Sequence, residues 1–356
     1  MIWTAISAAG ILAGALLLRR VPKCGPVAHC DFPEFSIIIP ARNEATNLPI
    51  LLGSIAQSRL QPVETLVIDD ASTDNTAAIA KSFGARVLPS NALPHGWTGK
   101  TWACYQGAKQ SKTDLLLFLD ADVSFLPGGL ERVITTWSLQ CNPKTVLSIL
   151  PYHNVSAVYE QLSIIFNLLM AAGAGSFGVF SSPRLFGQSL LIPKQLYFEV
   201  GGHQSVKGFV LENLRLAHLL HRRQANIVPL VGQGTIQMRM FSEGFQQMTR
   251  SWSKAFLQGA KDSSKLVVFL SVYWISALWF CPLLVIGHSS QELMSLVVVY
   301  LVLALQLYLV ARQLGKYHLL TCLLYPIPLA YYCIVFGMSM INQATGRKTL
   351  WKGRQV

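Results

Sequence analysis

Charge is scarce in this sequence, and acidic charge is scarcest: Asp and Glu number 17 against 29 Lys and Arg, and charged residues make up 13% of the chain. Soluble domains carry about 25%, so a chain that is 52% apolar is expected to keep part of itself in lipid. The shortage is local. Between Leu266 and Ala311 the one acidic or basic residue is Glu292, whereas charges gather between Asp31 and Lys265. Long basic runs and basic helices are missing too. Lys and Arg cluster instead beside apolar segments, at Arg19, Arg20 and Lys23, at Lys261 and Lys265, and at Arg347, Lys348, Lys352 and Arg354. That placement suits the inner face of a membrane with its anionic lipids and argues against a nucleic-acid partner. No cysteine pair has C-x-x-C spacing, and the count of seven (Cys24, Cys30, Cys104, Cys141, Cys281, Cys322, Cys333) is odd. Neither a disulfide framework nor a zinc site follows, and a reducing compartment is the simplest environment. Internal repeats and low-complexity segments are absent. His95, His203, His218 and His221 form no metal-ligand pattern with nearby acids.

What is present divides into apolar ends and a soluble-looking middle. Ile2 to Leu18 is uncharged and is followed at once by Arg19-Arg20. At about 17 residues it is at the short end for a spanning helix. A signal peptide would carry its basic residues before the apolar core, not after it, so an uncleaved anchor over 1–20 with its Arg-rich end inside is expected. Leu266 to Gly287 and Leu293 to Ala311 read as two spans joined by a tight turn at His288 to Glu292. A last apolar segment from about Tyr317 to Ile341 contains Pro326 and Pro328. It either crosses the membrane or, broken at the prolines, re-enters and returns. The re-entrant form keeps the basic tail, 342–356, inside.

Phe35 to Leu150 alternates strand and helix signals. The run Phe35 to Ile39, ending at Pro40, has the unbroken apolar character of a strand buried on both faces. Strands follow at Glu64 to Ile68, Arg86 to Leu88, Asp114 to Leu119 and Thr145 to Leu150. Helices are expected from Thr46, as cap, to Gln57, from Asp74 or Asn75 to Phe83, from Thr101 to Lys109, and from Gly128 to Gln140. The alternation predicts an α/β domain with a mostly parallel sheet, whose ligands bind beyond the carboxyl ends of the strands. Val155 to Phe180, apolar with the single charge Glu160, is loosened by Gly173, Gly175 and Gly178. It is read as a helix in the membrane interface or the domain floor.

Four polar motifs sit where such a sheet would open. Asp120-Ala-Asp122 closes the most apolar strand; two carboxylates on one rim suit a hard divalent cation, Mg2+ or Mn2+, shared with phosphate oxygens. Alone, such a pair is more often a turn or a cap. Asp69-Asp70-Ala-Ser72-Thr-Asp74-Asn-Thr76 also follows a strand, and Ser72 or Asp74 would serve equally as helix caps. Pro40-Ala-Arg42-Asn43-Glu44 follows the first strand and reads alone as a surface loop. Gly96-Trp-Thr-Gly99-Lys100 precedes a helix; Gly99 permits close backbone approach and Lys100 offers phosphate a point charge. Packing alone does not explain four such motifs at one edge.

The strand and loop I-I-I-P-A-R-N-E, the segment V-I-D-D-A-S-T-D-N-T and the motif L-D-A-D together resemble the family 2 glycosyltransferases, which have the GT-A fold. G-W-T-G-K-T-W-A and the terminal W-K-G-R are similar to a membrane subgroup that includes carotenoid (diaponeurosporenoate-type) and hopanoid-associated glycosyltransferases. The resemblance implies roles by position. Pro40, Arg42, Glu44, Asp69 and Asp70 would line the nucleoside pocket and Lys100 would lie beside the donor nucleotide. Asp120 would touch ribose or metal, and Asp122 would bind the metal. The base that accepts the acceptor's proton falls at Glu212-Asn213. The usual second acid is here Asn213, and an amide cannot take a proton. Glu212 would then serve, or an acidic acceptor would need little base, or activity would be weak or absent; Glu212 is otherwise a helix N-terminal acid favoured by the dipole. Arg239, Arg250 and Lys254 would reach the diphosphate and Trp252 would pack on the acceptor, although an amphipathic interfacial helix explains Trp252 and Lys254 as well.

The expectation is therefore a multi-pass inner-membrane protein with an anchor, a cytoplasmic GT-A domain over 31–262 and membrane segments over 266–341. The resemblance implies inverting transfer of a hexose, glucose from UDP-glucose foremost, to a polyisoprenoid-derived lipid acceptor. A transferase for polyprenyl phosphate or polysaccharide, and a silent nucleotide-sugar binder, are the alternatives.

Overall fold

The computed structural model describes residues 2–28, 31–173, 177–179, 184–209, 212–262, 264–287, 290–344, 350–351 and 354–355. The helices are α1 (Ile2–Leu17), α2 (Leu48–Ala56), α3 (Thr76–Ser82), α4 (Gly99–Gln110), α5 (Gly129–Ser138), α6 (Ile164–Gly173) and α7 (Lys194–Glu199). They continue with α8 (Glu212–Arg222), α9 (Phe245–Asp262), α10 (Lys265–Gly287), α11 (Ser290–Leu314), α12 (Leu319–Leu323) and α13 (Pro326–Ala344). The strands are β1 (Phe35–Ala41), β2 (Glu64–Asp69), β3 (Arg86–Pro89), β4 (Leu115–Leu119) and β5 (Val123–Phe125). After them come β6 (Thr145–Leu150), β7 (Tyr152–His153), β8 (Ser189–Pro193), β9 (Asn226–Val231) and β10 (Ile236–Met238). The chain forms two compact units: a helical one, Met1–Val21, His153–Ser182 and Met240–Lys348, and a sheet-based one, Pro22–Tyr152, Pro183–Arg239 and Thr349–Val356.

In the sheet unit, seven strands run in the order β3-β2-β1-β4-β8-β6-β9, and a smaller sheet has the order β5-β10-β7. The pairs β3–β2, β2–β1, β1–β4 and β6–β9 are parallel, as the alternation predicts. β8 is the exception, antiparallel to β4 and to β6. The unbroken apolar runs take the central places: Ile37, Ile38 and Ile39 of β1 and Leu116 and Leu117 of β4 have no exposed surface. Each such side chain contributes roughly 1.5–3 kcal/mol by leaving water. α4 lies directly on this sheet. A Cβ at its Gly107 would sit 2.4 Å from Ile38 Cγ2, so only glycine lets the helix come so close. Ala103, Cys104 and Ala108 of α4 share a buried core with Leu216, Ala217 and Leu220 of α8.

Two helix starts near the site differ from the sequence expectation. α2 starts at Leu48 with Asn47 as its first flanking residue, so Thr46 is not its cap. α4 starts at Gly99, capped by Thr98, whose hydroxyl accepts from Thr101 N. Lys100 therefore stands inside the first helical turn.

In the helical unit, α10 and α11 carry 22-residue stretches, Lys265–Ile286 and Leu293–Leu314, long and apolar enough to cross a membrane. The expected turn residues His288 and Ser289 lie outside the described residues, as does Gly175. α1 packs against both helices: Gln306 Nε2 of α11 donates to Ile11 O at 2.7 Å, and Tyr273 Oη of α10 donates to Ile6 O at 3.0 Å. The proline-bearing last segment is broken at Leu324 and Tyr325 between α12 and α13, with Pro326 at the first position of α13, where a missing N–H costs nothing. The apolar segment after Val155 forms a 3-10 turn, Val158–Ser163, and then α6. α6 is buried almost throughout, with Phe166 stacked 4.7 Å from Trp252 and edge-on to Tyr332 at 4.9 Å. An interfacial helix needs a polar face; α6 has none and is a core helix of this unit.

Candidate active site

The site grows from the carboxyl edge of the parallel strands. β1 and β2 end in register, Ala41 beside Asp69. β4 lies parallel on the other side of β1 and stops at Leu119, one residue before Asp120. Adjacent strands are about 4.8 Å apart, so the three polar loops leave the sheet side by side.

The first two loops are stitched to each other. Asn43 N donates to Ser72 Oγ (3.0 Å), Thr73 N to Asn43 Oδ1 (2.8 Å), Glu44 N to Thr76 Oγ1 (2.8 Å) and Ala45 N to Asp74 Oδ2 (3.1 Å). Arg42 Nη1 donates to Asp70 O at 2.8 Å and lies 3.8 Å from Asp70 Oδ2. Asp69 Oδ1 accepts from Ser72 N at 3.2 Å. Asn43 and Ala71 both adopt left-handed backbone, φ 53° and 54°. Asn tolerates this conformation, while for Ala71 it costs about 1–2 kcal/mol that the cross-loop bonds must offset. Ser72 and Asp74 are thus staples of the loop, the plainer of the two roles open to them.

The third loop carries the charge. Lys100 Nζ lies 2.6 Å from Asp120 Oδ1, 2.8 Å from Oδ2 and 3.0 Å from Gly187 O. Burial opposes the lysine's charge, but Asp120 and then Glu212 outweigh it and hold the ammonium above its ordinary range. Asn213 Nδ2 donates to Glu212 Oε1 at 3.1 Å. Burial raises the Glu212 carboxyl, with Lys100 pulling it back. Pro40, Lys100, Asp120, Gly187, His203 and Asn213 line one cleft together with Cys104 and Phe118. The structure therefore gathers Pro40, Lys100, Asp120, Glu212 and Asn213.

Asp122 sits two residues along the same turn. Its Oδ1 is buried without a hydrogen-bond partner. Burial first, then Asp120, then Glu44 raise its carboxyl well above the carboxylate range. Among the described residues no three His, Cys, Asp or Glu side chains converge as ligands. An orphaned, repelled carboxylate beside a second one is nonetheless what a hard cation relieves, so Asp120 and Asp122 fit an ion completing its shell with phosphate or water oxygens.

Arg239, Arg250, Trp252 and Lys254 are not among the residues that line this cleft. Arg239 is exposed just after β10. Arg250 is exposed on α9, and the Lys254 side chain lies outside the described residues. Trp252 is a correction: it is 6% exposed, stacked on Phe166 and 5.8 Å from Phe241, so its ring is packed in the helical unit's core and not open to an acceptor. Gly187, Gln188, Cys104 and His203 were not legible as site residues. Gly187 and Gln188 reach Lys100 and Asp120 across 87 and 68 positions, and His203 joins the cleft from a distant turn, so no local pattern marks them; Cys104 stands one turn after Lys100 on α4 and carries no signal of its own.

The chain is 31% identical over 366 residues to the 4,4'-diaponeurosporenoate glycosyltransferase of Staphylococcus aureus strain USA300, covering 99% of this chain and 96% of that protein. The strain MRSA252 protein matches to the same extent. The solved mannosyltransferase PcManGT from Pyrobaculum calidifontis, in complex with GDP-Man and Mn2+, superposes with a TM-score of 0.56 at 14% identity, over 98% of this chain and 99% of that one. The sequence model described as glycosyl transferase family 2 matches residues 36–192, the span from β1 to β8. The chain belongs to the family 2 glycosyltransferases and has their GT-A fold.

Proposed function

We propose that this glycosyltransferase moves a hexose, foremost glucose from UDP-glucose, onto a polyisoprenoid lipid acid, with inversion at the sugar carbon. The observation that carries the proposal is the Lys100–Asp120 pair in a cleft shared with Asn213. Lys100 would meet the donor's diphosphate as a point charge. Arg42, Asp69 and Asp70 would hold the nucleoside on the neighbouring loops. Asp120 and Asp122 would hold a divalent cation, which when bound supplies positive charge against the leaving diphosphate; the mannosyltransferase neighbour is in complex with GDP-Man and Mn2+.

The acceptor oxygen forms its bond to C1 as the bond from C1 to the diphosphate breaks. An alcohol acceptor must also lose a proton. Asn213 cannot take it, and Glu212 is held partly by Asn213 and Lys100. A carboxylate acceptor has no proton to lose, and the product is then a sugar ester. The Staphylococcus relative bears the name of such an acid, diaponeurosporenoate. α10 and α11 support delivery of a lipid acceptor in the bilayer, with the sheet unit on the cytoplasmic side.

Mass spectrometry of lipids from cells with and without the chain tests the proposal, together with UDP-glucose transfer by the purified protein. A hexose ester of a lipid acid, present with the chain and lost on mild alkaline hydrolysis, is expected. An alkali-stable hexoside would move the proposal to an alcohol acceptor. Nucleotide binding without any glycosylated lipid would favour a silent binder.

A further inference from the structure

The segment between the described residues 184 and 189 lies outside every motif discussed above, yet it holds both partners of the charged pair. Gly187 O accepts from Lys100 Nζ at 3.0 Å. Gln188 O accepts from Asp120 N at 3.0 Å. One residue earlier, Phe186 is gripped at both backbone atoms by one side chain on β6: Phe186 N donates to Ser148 Oγ at 2.6 Å, and Ser148 Oγ donates to Phe186 O at 3.2 Å. Ser148 has no exposed surface, and Phe186 is buried. A buried hydroxyl that both donates to and accepts from one residue fixes that peptide in place and orientation. Gly187 adds a steric condition. A Cβ there would lie 2.4 Å from Asn213 Nδ2 and 3.7 Å from Lys100 Nζ.

We propose that Ser148 and Gly187 are positioning residues for sugar transfer: Ser148 clamps a backbone strap, residues 186–188, whose successive carbonyls hold Lys100 and Asp120, while the bare Cα of Gly187 leaves room for Asn213. Resting on the donor site proposed above, this explains why β8 runs antiparallel between β4 and β6. That direction brings the strap, at the start of β8, to the carboxyl ends of both neighbours, where Asp120 waits. Neither residue touches substrate; each acts through Lys100, Asp120 or Asn213.

The test uses the full chain in detergent, titrated with UDP and Mn2+ by calorimetry and assayed for transfer from UDP-glucose. Gly187→Ala is expected to weaken UDP binding about tenfold, the scale of one hydrogen bond to a charged group, and to lower turnover about a hundredfold, the scale of a misplacement near 1 Å. Adding Asn213→Ala, which removes the obstructing amide, restores UDP affinity toward the wild-type value; a cycle with Asn213→Ala alone measures the coupling. Ser148→Ala lowers turnover about tenfold, and Ser148→Thr, which keeps the hydroxyl, recovers part of it. Should Gly187→Ala fail to fold, the Ser148 variants carry the test. Variants that lower the unfolding temperature but bind UDP and turn over like wild type overturn the positioning role alone. A wild-type chain that neither binds UDP nor transfers sugar overturns the donor site and the strap's role with it.

Discussion

Lys100 and Asp120, 20 positions apart, meet at 2.6 Å because α4 starts at the same sheet edge where β4 stops. A lysine in the first turn of a helix opposes the helix dipole, and Asp120 supplies the compensation. Lys100→Met is expected to weaken UDP binding by about ten- to a hundredfold. Asp120→Asn is expected to do the same, and the double variant to lose less than the two together. Calorimetric titration of the three variants checks this; additive losses would mean that the pair does not act as one unit.

Asp122 sets stability against function. Its carboxyl is buried, repelled by Asp120 and Glu44, and has an oxygen without a hydrogen-bond partner. Asp122→Asn removes a disfavoured charge. The unfolding midpoint should hold or rise while transfer falls by about 10²–10³-fold. Thermal melts beside a transfer assay check both halves, and wild-type turnover in this variant would remove Asp122 from the machinery.

Asn213→Asp distinguishes acceptor classes. With a lipid carboxylic acid as acceptor no proton is transferred, so the rate should stay within about threefold of wild type. With a lipid alcohol the same variant should gain about a hundredfold by acquiring a base. A large gain with the acid would argue against a carboxylate acceptor.

His203 makes folding sensitive to acid. Burial first, and Lys100 second, push its pKa down from 6.5 to about 3, and its Nδ1 lies 2.8 Å from Tyr197 Oη. Below pH 6.5 the unfolded chain takes up a proton that the folded one refuses. Stability is therefore full above the unfolded value and falls as pH drops toward the folded value, by up to about 1.4 kcal/mol per unit. His203→Asn should flatten that slope in denaturant titrations between pH 6.5 and 4. An unchanged slope would place the acid sensitivity elsewhere.

Cys141 reports the side of the membrane. It is exposed on the turn after α5, in the sheet unit. In a Cys30→Ser background, a membrane-impermeant maleimide is expected to label Cys141 only after cells are permeabilised. Labelling in intact cells would put the sheet unit outside.

The sequence by itself determined the strands and the loops that leave them. Three runs of apolar residues, each ending in polar ones, have few stable arrangements other than a buried parallel sheet with its chemistry at one edge, and the expected limits of β1, β2, β4 and β6 lie within two residues of those observed. Lys100 was legible because a charge at a helix start, after glycines, has a reason only if something answers it. The tertiary structure alone decided what answers it. Nothing local announces that β8 enters antiparallel, that Ser148 grips Phe186, or that Gly187 must lack a side chain, because these contacts join positions 26 to 87 residues apart and depend on the order of strands in the sheet. Trp252 shows the same limit from the other side: its sequence context allows a surface or a core, and the partner ring, Phe166, that settles the choice comes from a distant helix.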